Sequence, residues 1–348
     1  MKHTIRILTA LVLAAAAGLA GAQDLPKTHL KILGGQSVLA HYKDYEQPFW
    51  TKEIPEKSGG AITAEIKGIN EMGLAGPEIG RLVKLGVLDF ATANIGQMAA
   101  DDPKNEAIDL AGLCPDIATA RKVTEAYRPV LEKLYKEKYG AKLLAIWPFP
   151  AQVLFSRLPI INLSDLKGMK VRTYNRTLIE FIQAVGGTGL PLAFAEVVQA
   201  MQTGVVDAAV TGSLSGYHAK WYEVSDYLYA LPVGWAHNVH MVSYNTWNKL
   251  DPKVRSFIEK EIKGLEDRSW KMTDEQTAQG FACNTGEGKC NYGKPAKMKL
   301  CKMSAADKVV LAKILEEVVL KKWGERCGKG CSEEFNETIG KVIDAKVK

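Results

Sequence analysis

One arginine stands where a predicted strand would deliver it to a ligand. Ser164 has the position of a cap for a short helical turn, Gly168 breaks that turn, and the strand that follows ends near Arg172. In open α/β sheets, ligands bind beyond the carboxyl ends of the strands, and a guanidinium there can donate two parallel hydrogen bonds to a carboxylate. Arg172 is therefore a candidate carboxylate-binding residue, although by spacing alone a surface ion pair is the commoner role of such an arginine.

Motifs of catalysis and of metal binding are absent from the sequence. It contains no phosphate-binding P-loop, no GxSxG nucleophile motif, no HExxH zinc motif and no GxGxxG dinucleotide motif. His237 and His240 have a spacing that some metal sites use, but no third ligand lies near them in sequence, and we interpret them as ordinary histidines. We therefore expect no metal, no cofactor and no enzyme activity. An exported enzyme that acts on an organic acid is the weaker alternative.

The first 22 residues have the pattern of a cleaved secretory signal peptide. Lys2 and Arg6 precede an apolar stretch over residues 7–17, and small residues follow at positions 20–22. The apolar stretch is short for a hydrocarbon core of about 30 Å. The sequence therefore predicts export of a mature chain that begins near Gln23.

Length and charge limit the classes of protein that fit. The 348 residues suffice for about two domains. Composition is that of a globular protein, with 47% hydrophobic and 24% charged residues. Lys and Arg number 45 against 39 acidic residues, and this small excess forms no basic cluster typical of nucleic-acid binding. We expect a protein without a nucleic-acid partner.

Five of the six cysteines lie in the last fifth of the chain. These five are Cys283, Cys290, Cys301, Cys327 and Cys331, and the sixth, Cys114, stands alone. An exported protein meets oxidising conditions that favour disulfides. A zinc site is disfavoured because no His lies among the five C-terminal cysteines and the sequence contains no CxxC motif. The short separations make Cys283–Cys290 and Cys327–Cys331 the candidate pairs, but the sequence does not decide among all possible pairings.

Short β-rich segments alternate with amphipathic helices, which predicts mostly parallel sheet covered by helices. Residues 85–91 (LGVLDFA) and 203–209 (TGVVDAA) repeat one helix–turn–strand unit, which indicates two similar α/β lobes. After Asp251, an N-cap, apolar residues recur at helical spacing with no breaker before Gly280. A helix of that length would extend about 40 Å and could lie across both lobes.

The stretch over residues 163–172 is followed by a series of shorter motifs. These are Gly186-Gly187, Ala195-Glu196, Met201-Gln-Thr-Gly204 and Val206-Asp207. In this order they resemble the DctP-type substrate-binding proteins of TRAP transporters, from about Leu30 to the end of the long helix. The resemblance implies a monomeric, two-lobed periplasmic clamshell that closes on the carboxylate of an organic acid and delivers it to membrane permease subunits.

We divide the chain between the two lobes accordingly. Residues 23–149 and 238–277 are assigned to lobe I, and residues 150–237 and 278–348 to lobe II. A sensor protein that passes its ligand state to a membrane receptor would share this fold, so it remains an alternative to transport.

The resemblance also implies which residues meet the ligand. Arg172 has the position of the family's carboxylate-binding arginine, whereas Gln152 stands where sialic acid binders place a second arginine, which argues against sialic acid. Thr211, flanked by Gly212 and Ser213, stands where those proteins use an asparagine.

Further side chains complete the predicted cleft. Gln36, Asn94 and Gln97 match ligand-facing positions, and the residues expected nearby are Tyr174, Asn175, Trp235, Trp147 and Phe149. For Trp147 we expect a packing role. Amides and hydroxyls at these positions favour a small polar acid. Dicarboxylates, 2-oxo acids, hydroxy acids, aromatic acids and lactams all stay open.

Overall fold

Strand and helix bounds come from a computed structural model, which describes residues 25–74 and 76–348. The strands there are β1 (Thr28–Gly34), β2 (Ile62–Gly68), β3 (Phe90–Asn94), β4 (Ala141–Trp147), β5 (Gln152–Ser156), β6 (Lys170–Thr173), β7 (Thr188–Pro191), β8 (Ala208–Gly212), β9 (Tyr227–Ala230), β10 (Asn238–Ser243) and β11 (Lys299–Lys302). The helices there are α1 (Ile54–Lys57), α2 (Ile69–Met72), α3 (Gly76–Lys84), α4 (Ile117–Tyr139), α5 (Arg176–Ala184), α6 (Val197–Gln202), α7 (Ser213–His218), α8 (Tyr244–Trp247), α9 (Pro252–Thr285), α10 (Ala305–Ile314), α11 (Lys321–Cys327) and α12 (Lys329–Glu337). The predicted signal peptide lies outside the described residues.

The first sheet has the strand order β2-β1-β3-β10-β4 and forms the centre of lobe I. β1 pairs in parallel with β2 and β3, and β10 lies antiparallel between β3 and β4. Ile32 on β1 and Phe90 on β3 belong to a buried apolar cluster with Trp50 and with Ile258 of α9. This cluster fixes one face of the sheet against helices, as the apolar runs predicted.

The second sheet has the order β11-β9-β5-β8-β6-β7 and forms the centre of lobe II. β6 is parallel to β7 and β8, whereas β5 is antiparallel to β8 and β9. Phe155, Val171 and Val210 are fully buried on these strands. Both sheets are thus mixed, with more parallel than antiparallel pairs among the described strands, and the predicted two-lobed α/β architecture is confirmed.

Two chain segments cross between the sheets. Residues 148–151 lead from β4 to β5, and residues 231–237 lead back from β9 to β10. The segments pair with each other: the N–H of Phe149 donates to the Trp235 carbonyl at 2.8 Å, and the N–H of Gln152 donates to the Gly234 carbonyl at 3.0 Å. This paired crossing forms the narrow connection about which two lobes can move.

The long helix α9 extends over both lobes. Its N-cap is Asp251, whose carboxylate accepts a hydrogen bond from the Lys253 N–H at 2.7 Å, and Pro252 follows at the first helical position. With 34 residues it is about 50 Å long. The indole of Trp270 donates to the Ile146 carbonyl on β4, in lobe I. Further along the helix, the Thr277 carbonyl accepts a hydrogen bond from the Ser213 hydroxyl of α7.

Gly280 does not end α9, which continues to Thr285. A Cβ atom at Gly280 would collide with Ser213 and with the backbone of Leu214 on α7. The glycine therefore lets α7 approach α9 closely. The helix instead ends at Gly286, whose φ of +77° lies in the left-handed region that glycine favours.

The C-terminal residues form a segment held by disulfides. Cys283–Cys290 and Cys327–Cys331 are bonded, which confirms both predicted pairs. Cys114 is a free, buried thiol, and Cys301 is free and half-buried on β11. Because β11 pairs in parallel with β9, the segment is attached to the sheet of lobe II.

Candidate functional site

A cleft between the lobes encloses about 630 Å³ of space, part of it open to solvent. Its lobe I side is lined by Gly35, Gln36, Leu39, Ile69, Thr92, Ala93, Asn94, Gln97 and Asn238. Its lobe II side is lined by Gln152, Arg172, Tyr174, Phe194, Thr211 and Ser215. Phe149 and Ala236 line it from the crossing segments. The lining combines apolar side chains with amides and hydroxyls, polar groups of the kind that fix the orientation of a ligand.

Among the described residues that line the cleft, Arg172 is the one with a positively charged side chain. The residue is only 2% exposed. Its Nε donates to the Leu192 carbonyl at 3.0 Å, and its Nη1 donates to the Val210 carbonyl at 2.8 Å. The guanidinium lies 5.8 Å from the centre of the Trp221 ring. No carboxylate in the described part of the chain pairs with it. Burial lowers the pKa of Arg172 to about 10, so the side chain is still positively charged at neutral pH.

The local structure before β6 explains the position of Arg172. The turn Leu163–Leu166 has Asn162 as its N-cap, and the Asp165 carboxylate accepts hydrogen bonds from the N–H groups of Ile161 and Asn162. The sequence assignment of the cap to Ser164 was wrong, because Asp165 provides the acceptor. Gly168, with φ of +79°, then turns the chain into β6 between β7 and β8.

Amide side chains face the arginine from lobe I. Asn94 at the end of β3 donates to the Ala236 carbonyl at 3.3 Å, and its Oδ1 has no hydrogen-bond partner within residues 25–74 and 76–348. Asn238 on β10 is directly opposite Asn94 in the sheet. From lobe II, Gln152 on β5 donates to the Pro150 carbonyl at 2.8 Å. The cleft therefore offers amide donors and acceptors on both sides of one cation.

Tyr174 connects the cleft lining to the crossing segments. Its hydroxyl donates to the Asp109 carboxylate at 3.3 Å. Asp109 also accepts hydrogen bonds from the N–H groups of Trp235 and Ala236. Burial, followed by the charge of Asp109, holds the pKa of Tyr174 well above its usual value, so the hydroxyl keeps its proton at physiological pH.

Seven of the predicted ligand-facing residues line the cleft together. They are Gln36, Asn94, Gln97, Gln152, Arg172, Tyr174 and Thr211. Phe149, expected nearby, lines it as well, and Trp147 is fully buried and stacks on His41 with 5.0 Å between ring centres.

Four predicted residues do not line the cleft, because their groups serve the fold. Asn175 is the N-cap of α5 and accepts from the Leu178 N–H at 2.9 Å. The Trp235 indole donates to the Cys114 carbonyl at 3.0 Å. The Ser213 hydroxyl donates to α9, and Gly212 ends β8 beside Gln152.

Sequence reasoning missed several residues of the lining. Thr92, Ser215 and Asn238 were not predicted, although each lies within a few residues of a position that was. Phe194 was not predicted either, although it directly precedes the motif Ala195-Glu196. For Asn238, the sequence contains a signal: Met241-Val242-Ser243-Tyr244 is strand-like, and extending that strand toward the crossing segment places Asn238 beside β3.

The two histidines of the weak metal pattern have separate environments. His237 lies 3.7 Å from Asp109 and 3.2 Å from the Thr124 hydroxyl, whereas His240 lies 2.8 Å from the Thr92 hydroxyl. Among the residues that the structure describes, no group of three or more His, Cys, Asp or Glu side chains is arranged to hold a metal ion. In the same residues no helix is sufficiently long and apolar to span a membrane.

Solved structures share this fold. A Bordetella pertussis extracytoplasmic solute receptor that binds pyroglutamic acid has a TM-score of 0.80 at 23% identity, covering 90% of this chain and 99% of its own. A TRAP periplasmic solute-binding protein from Desulfovibrio salexigens, with bound orotic acid, has a TM-score of 0.79 at 20% identity over the same shares of the two chains. At these identities the similarity establishes the two-lobed fold.

Curated relatives and a family model extend the comparison to sequence. The sialic acid-binding periplasmic protein SiaP of Vibrio cholerae is 26% identical over 82% of this chain and 87% of its own. The C4-dicarboxylate-binding periplasmic protein DctP of Rhodobacter capsulatus is 26% identical over 69% of this chain and 73% of its own. The model of bacterial extracellular solute-binding protein, family 7 (DctP), matches residues 41–318. This chain therefore belongs to the DctP family of extracellular solute-binding proteins, which confirms the predicted family and its placement among receptors rather than enzymes.

Proposed function

We propose that this chain binds a small organic acid in the interlobe cleft and delivers it to the membrane subunits of a TRAP transporter. The observation that carries the proposal is the state of Arg172, which is buried, charged and without a carboxylate partner among the described residues. A buried charge is costly unless an opposite charge and hydrogen bonds compensate it. A ligand carboxylate beside Arg172 supplies that compensation.

The remainder of the lining supports a ligand with neutral polar groups. Amides from Gln36, Asn94, Gln97, Gln152 and Asn238 can each donate and accept hydrogen bonds. They recognise hydroxyl, carbonyl or ring amide groups without requiring a second charge. The relatives named above bind sialic acid, C4-dicarboxylates, pyroglutamic acid and orotic acid, and all of these carry a carboxylate.

Binding works by closure of the two lobes. A ligand that contacts Arg172 in lobe II and the amides of lobe I interacts more strongly with the closed state than with the open state. It therefore shifts the population toward the closed state. The paired crossing segments and α9 keep the lobes connected during this movement.

The proposal includes the cellular setting and the assembly. We assign residues 1–22 to a cleaved signal peptide and place the mature chain in the periplasm as a monomer without nucleic acid, in keeping with a family of extracellular receptors. We also propose the lobe boundaries 23–149 with 238–277 and 150–237 with 278–348, and the presence of two separate sheets supports a division into two lobes.

A thermal-shift screen tests the proposed function. The mature protein is unfolded, freed of any bound molecule, refolded with its disulfides oxidised, and heated with each member of a panel of small organic acids. A ligand at 100 times its Kd adds about 2.7 kcal/mol to the free energy of unfolding, which raises Tm visibly. A selective rise with one class of acid supports the proposal, and a flat profile across the panel from well-folded protein overturns it.

A further inference from the structure

Glu46 is a buried carboxyl group directly behind the lobe I wall of the cleft. It ends the helical turn Tyr42–Glu46 and is 0% exposed. Its Oε2 accepts a hydrogen bond from the Gly35 N–H at 2.8 Å, and its Oε1 accepts one from the Thr92 hydroxyl. Gly35 and Thr92 both line the cleft. A single layer of residues, Gly35 and Thr92, therefore lies between this carboxyl group and a molecule bound in the cleft.

No cation compensates Glu46 within the described residues. The titratable groups that face it are Tyr42 on its own turn and His240 on β10, with Glu71 of α2 beyond Tyr42. Burial lowers the pKa of His240 to about 3, so this histidine is neutral. Burial raises the pKa of Glu46 to about 7, against which its two hydrogen bonds act only in part. The carboxyl group can therefore gain or lose a proton near neutral pH.

The hydrogen bonds around Glu46 accommodate both protonation states. The Thr92 hydroxyl lies between the Glu46 carboxyl and the Nδ1 of His240, which is 2.8 Å away. It donates to an ionised carboxylate, and it can accept from a protonated carboxyl while donating to Nδ1. The Nε2 of His240 has no partner in the described part of the chain. The ring proton of His240 can therefore move between Nδ1 and Nε2 without the loss of any hydrogen bond at Nε2.

The two sides of the cleft thus differ in charge. Arg172 makes the lobe II side positive, and ionised Glu46 makes the lobe I side negative. A ligand carboxylate beside Arg172 is attracted, whereas a second carboxylate against Gly35 and Thr92 faces the charge of Glu46. At separations of several ångströms in a protein interior, such repulsion corresponds to about tenfold or more in affinity.

We propose, on the basis of the proposed function, that Glu46 is a specificity-determining residue of the cleft. The cleft favours acids with one negative charge, and a dicarboxylate binds with the uptake of up to one proton from solvent by Glu46. Protonation converts the carboxylate to a neutral acid and removes the repulsion. Above the pKa of Glu46, each unit of pH therefore costs a dicarboxylate up to about tenfold in affinity, until the full repulsion is reached.

Matched pairs of probes test this inference. Succinate is compared with succinamate, and glutarate with glutaramate, because each pair differs only by exchange of one carboxylate for a neutral amide. Calorimetric titrations of the refolded mature protein at about pH 7 and about pH 9, in two buffers with different ionisation enthalpies, give Kd and proton uptake. Between pH 7 and pH 9 we expect the ratio of the dicarboxylate Kd to the monoamide Kd to rise about tenfold or more. Binding of the dicarboxylate, but not of the monoamide, should be accompanied by proton uptake.

Two variants assign the effect to Glu46. Glu46→Gln accepts from Gly35 and donates to Thr92 but cannot ionise, so the Kd ratio should no longer depend on pH and proton uptake should disappear. Glu65→Gln removes the same charge from an exposed position on β2, and its ratio should follow that of the wild type.

The outcomes separate this inference from the proposed function. A wild-type ratio independent of pH, or proton uptake that persists in Glu46→Gln, overturns the role of Glu46 while leaving acid binding intact. Absence of binding by every acid tested overturns the proposed function itself. Absence of proton uptake by the wild type with a dicarboxylate overturns the role of Glu46 even if Glu46→Gln does not fold.

Discussion

The phenol of Tyr174 donates a hydrogen bond to the carboxylate of Asp109 across the boundary between the lobes, with 3.3 Å between the two oxygens. Asp109 is buried and also accepts from the N–H groups of Trp235 and Ala236, at 3.0 and 2.9 Å. Tyr174 directly follows β6, the strand that carries Arg172. One side chain therefore joins the proposed carboxylate-binding strand to the segment where the chain crosses between lobes.

Tyr174→Phe should lower the free energy of unfolding by about 1–3 kcal/mol, because it removes a hydrogen bond to a charged group and leaves the ring in place. Asp109 keeps its two backbone donors, which limits the loss. Urea denaturation of the oxidised protein measures the change. As a control, Tyr227→Phe removes the hydroxyl of a half-buried tyrosine on β9 that makes no side-chain hydrogen bond among the described residues, and it should be close to neutral. Equal losses in the two variants would contradict the prediction.

Arg172→Ala should abolish high-affinity binding of the acid found by the thermal-shift screen. Removal of one partner of a buried ion pair costs about 3–5 kcal/mol, which is a thousandfold or so in Kd. Isothermal titration measures Kd, and circular dichroism checks that the fold is kept.

Arg157→Ala provides the matched control for Arg172→Ala. Arg157 is an exposed arginine of the same lobe just beyond β5, and it does not line the interlobe cleft. Its loss should leave Kd unchanged within about twofold. Unaltered affinity in Arg172→Ala would show that the carboxylate is bound elsewhere.

The fold and Arg172 were predictable because their signals are local. Short β-rich segments alternate with amphipathic helices, and the turn broken at Gly168 predicts the strand that ends near Arg172. Helix α9 was recognised from its N-cap and its apolar spacing. Its end was predicted too early, because only the packing of α7 against Gly280 shows that this glycine continues the helix.

Glu46 could not be predicted, because nothing in its own segment marks it as buried. It lies among Lys43, Asp44 and Tyr45 in a polar stretch without helical periodicity. Its burial arises when the Gly35 loop, β3 and β10 meet around it, and these parts are distant in sequence. Asn175 and Trp235 show the converse, since their types suit a ligand but capping and packing use their polar groups.

Glu46→Gln should stabilise the protein at about pH 8. Burial raises the folded-state pKa of Glu46 to about 7, from 4.5 in the unfolded chain. A raised carboxyl pKa means that the folded state binds more protons, so stability is lost as pH rises between these values, and the full cost of about 3 kcal/mol is present above pH 7. The gain in Tm for Glu46→Gln over the wild type should therefore shrink toward about pH 5. A gain independent of pH would indicate that Glu46 is not the titrating group.

Arg326 joins the C-terminal segment to parts of the chain far from it in sequence. On α11, next to the Cys327–Cys331 disulfide, its guanidinium contacts the Glu106 carboxylate at 2.5 Å and the Glu180 carboxylate of α5 at 2.7 Å. Both carboxylates are less than 10% exposed. Burial raises the pKa of Glu106, and the hydrogen bond and charge of Arg326 oppose that rise.

Arg326→Ala should therefore lower the free energy of unfolding by about 3–5 kcal/mol at neutral pH, since it leaves the buried Glu106 carboxylate without its ion-pair partner. Glu180 loses one of two cations and keeps Arg176 at 3.5 Å. The pKa of Glu106 should rise further in this variant. A raised carboxyl pKa means that the folded variant binds more protons than the unfolded chain, so the loss should be smaller at about pH 5 than at about pH 8. Urea denaturation at both pH values measures this. Lys329→Ala, which removes an exposed cation on α12 lying 3.8 Å from Glu333, should change stability little at either pH. A loss in Arg326→Ala no larger than in this control would show that the segment is held by packing and its disulfide alone.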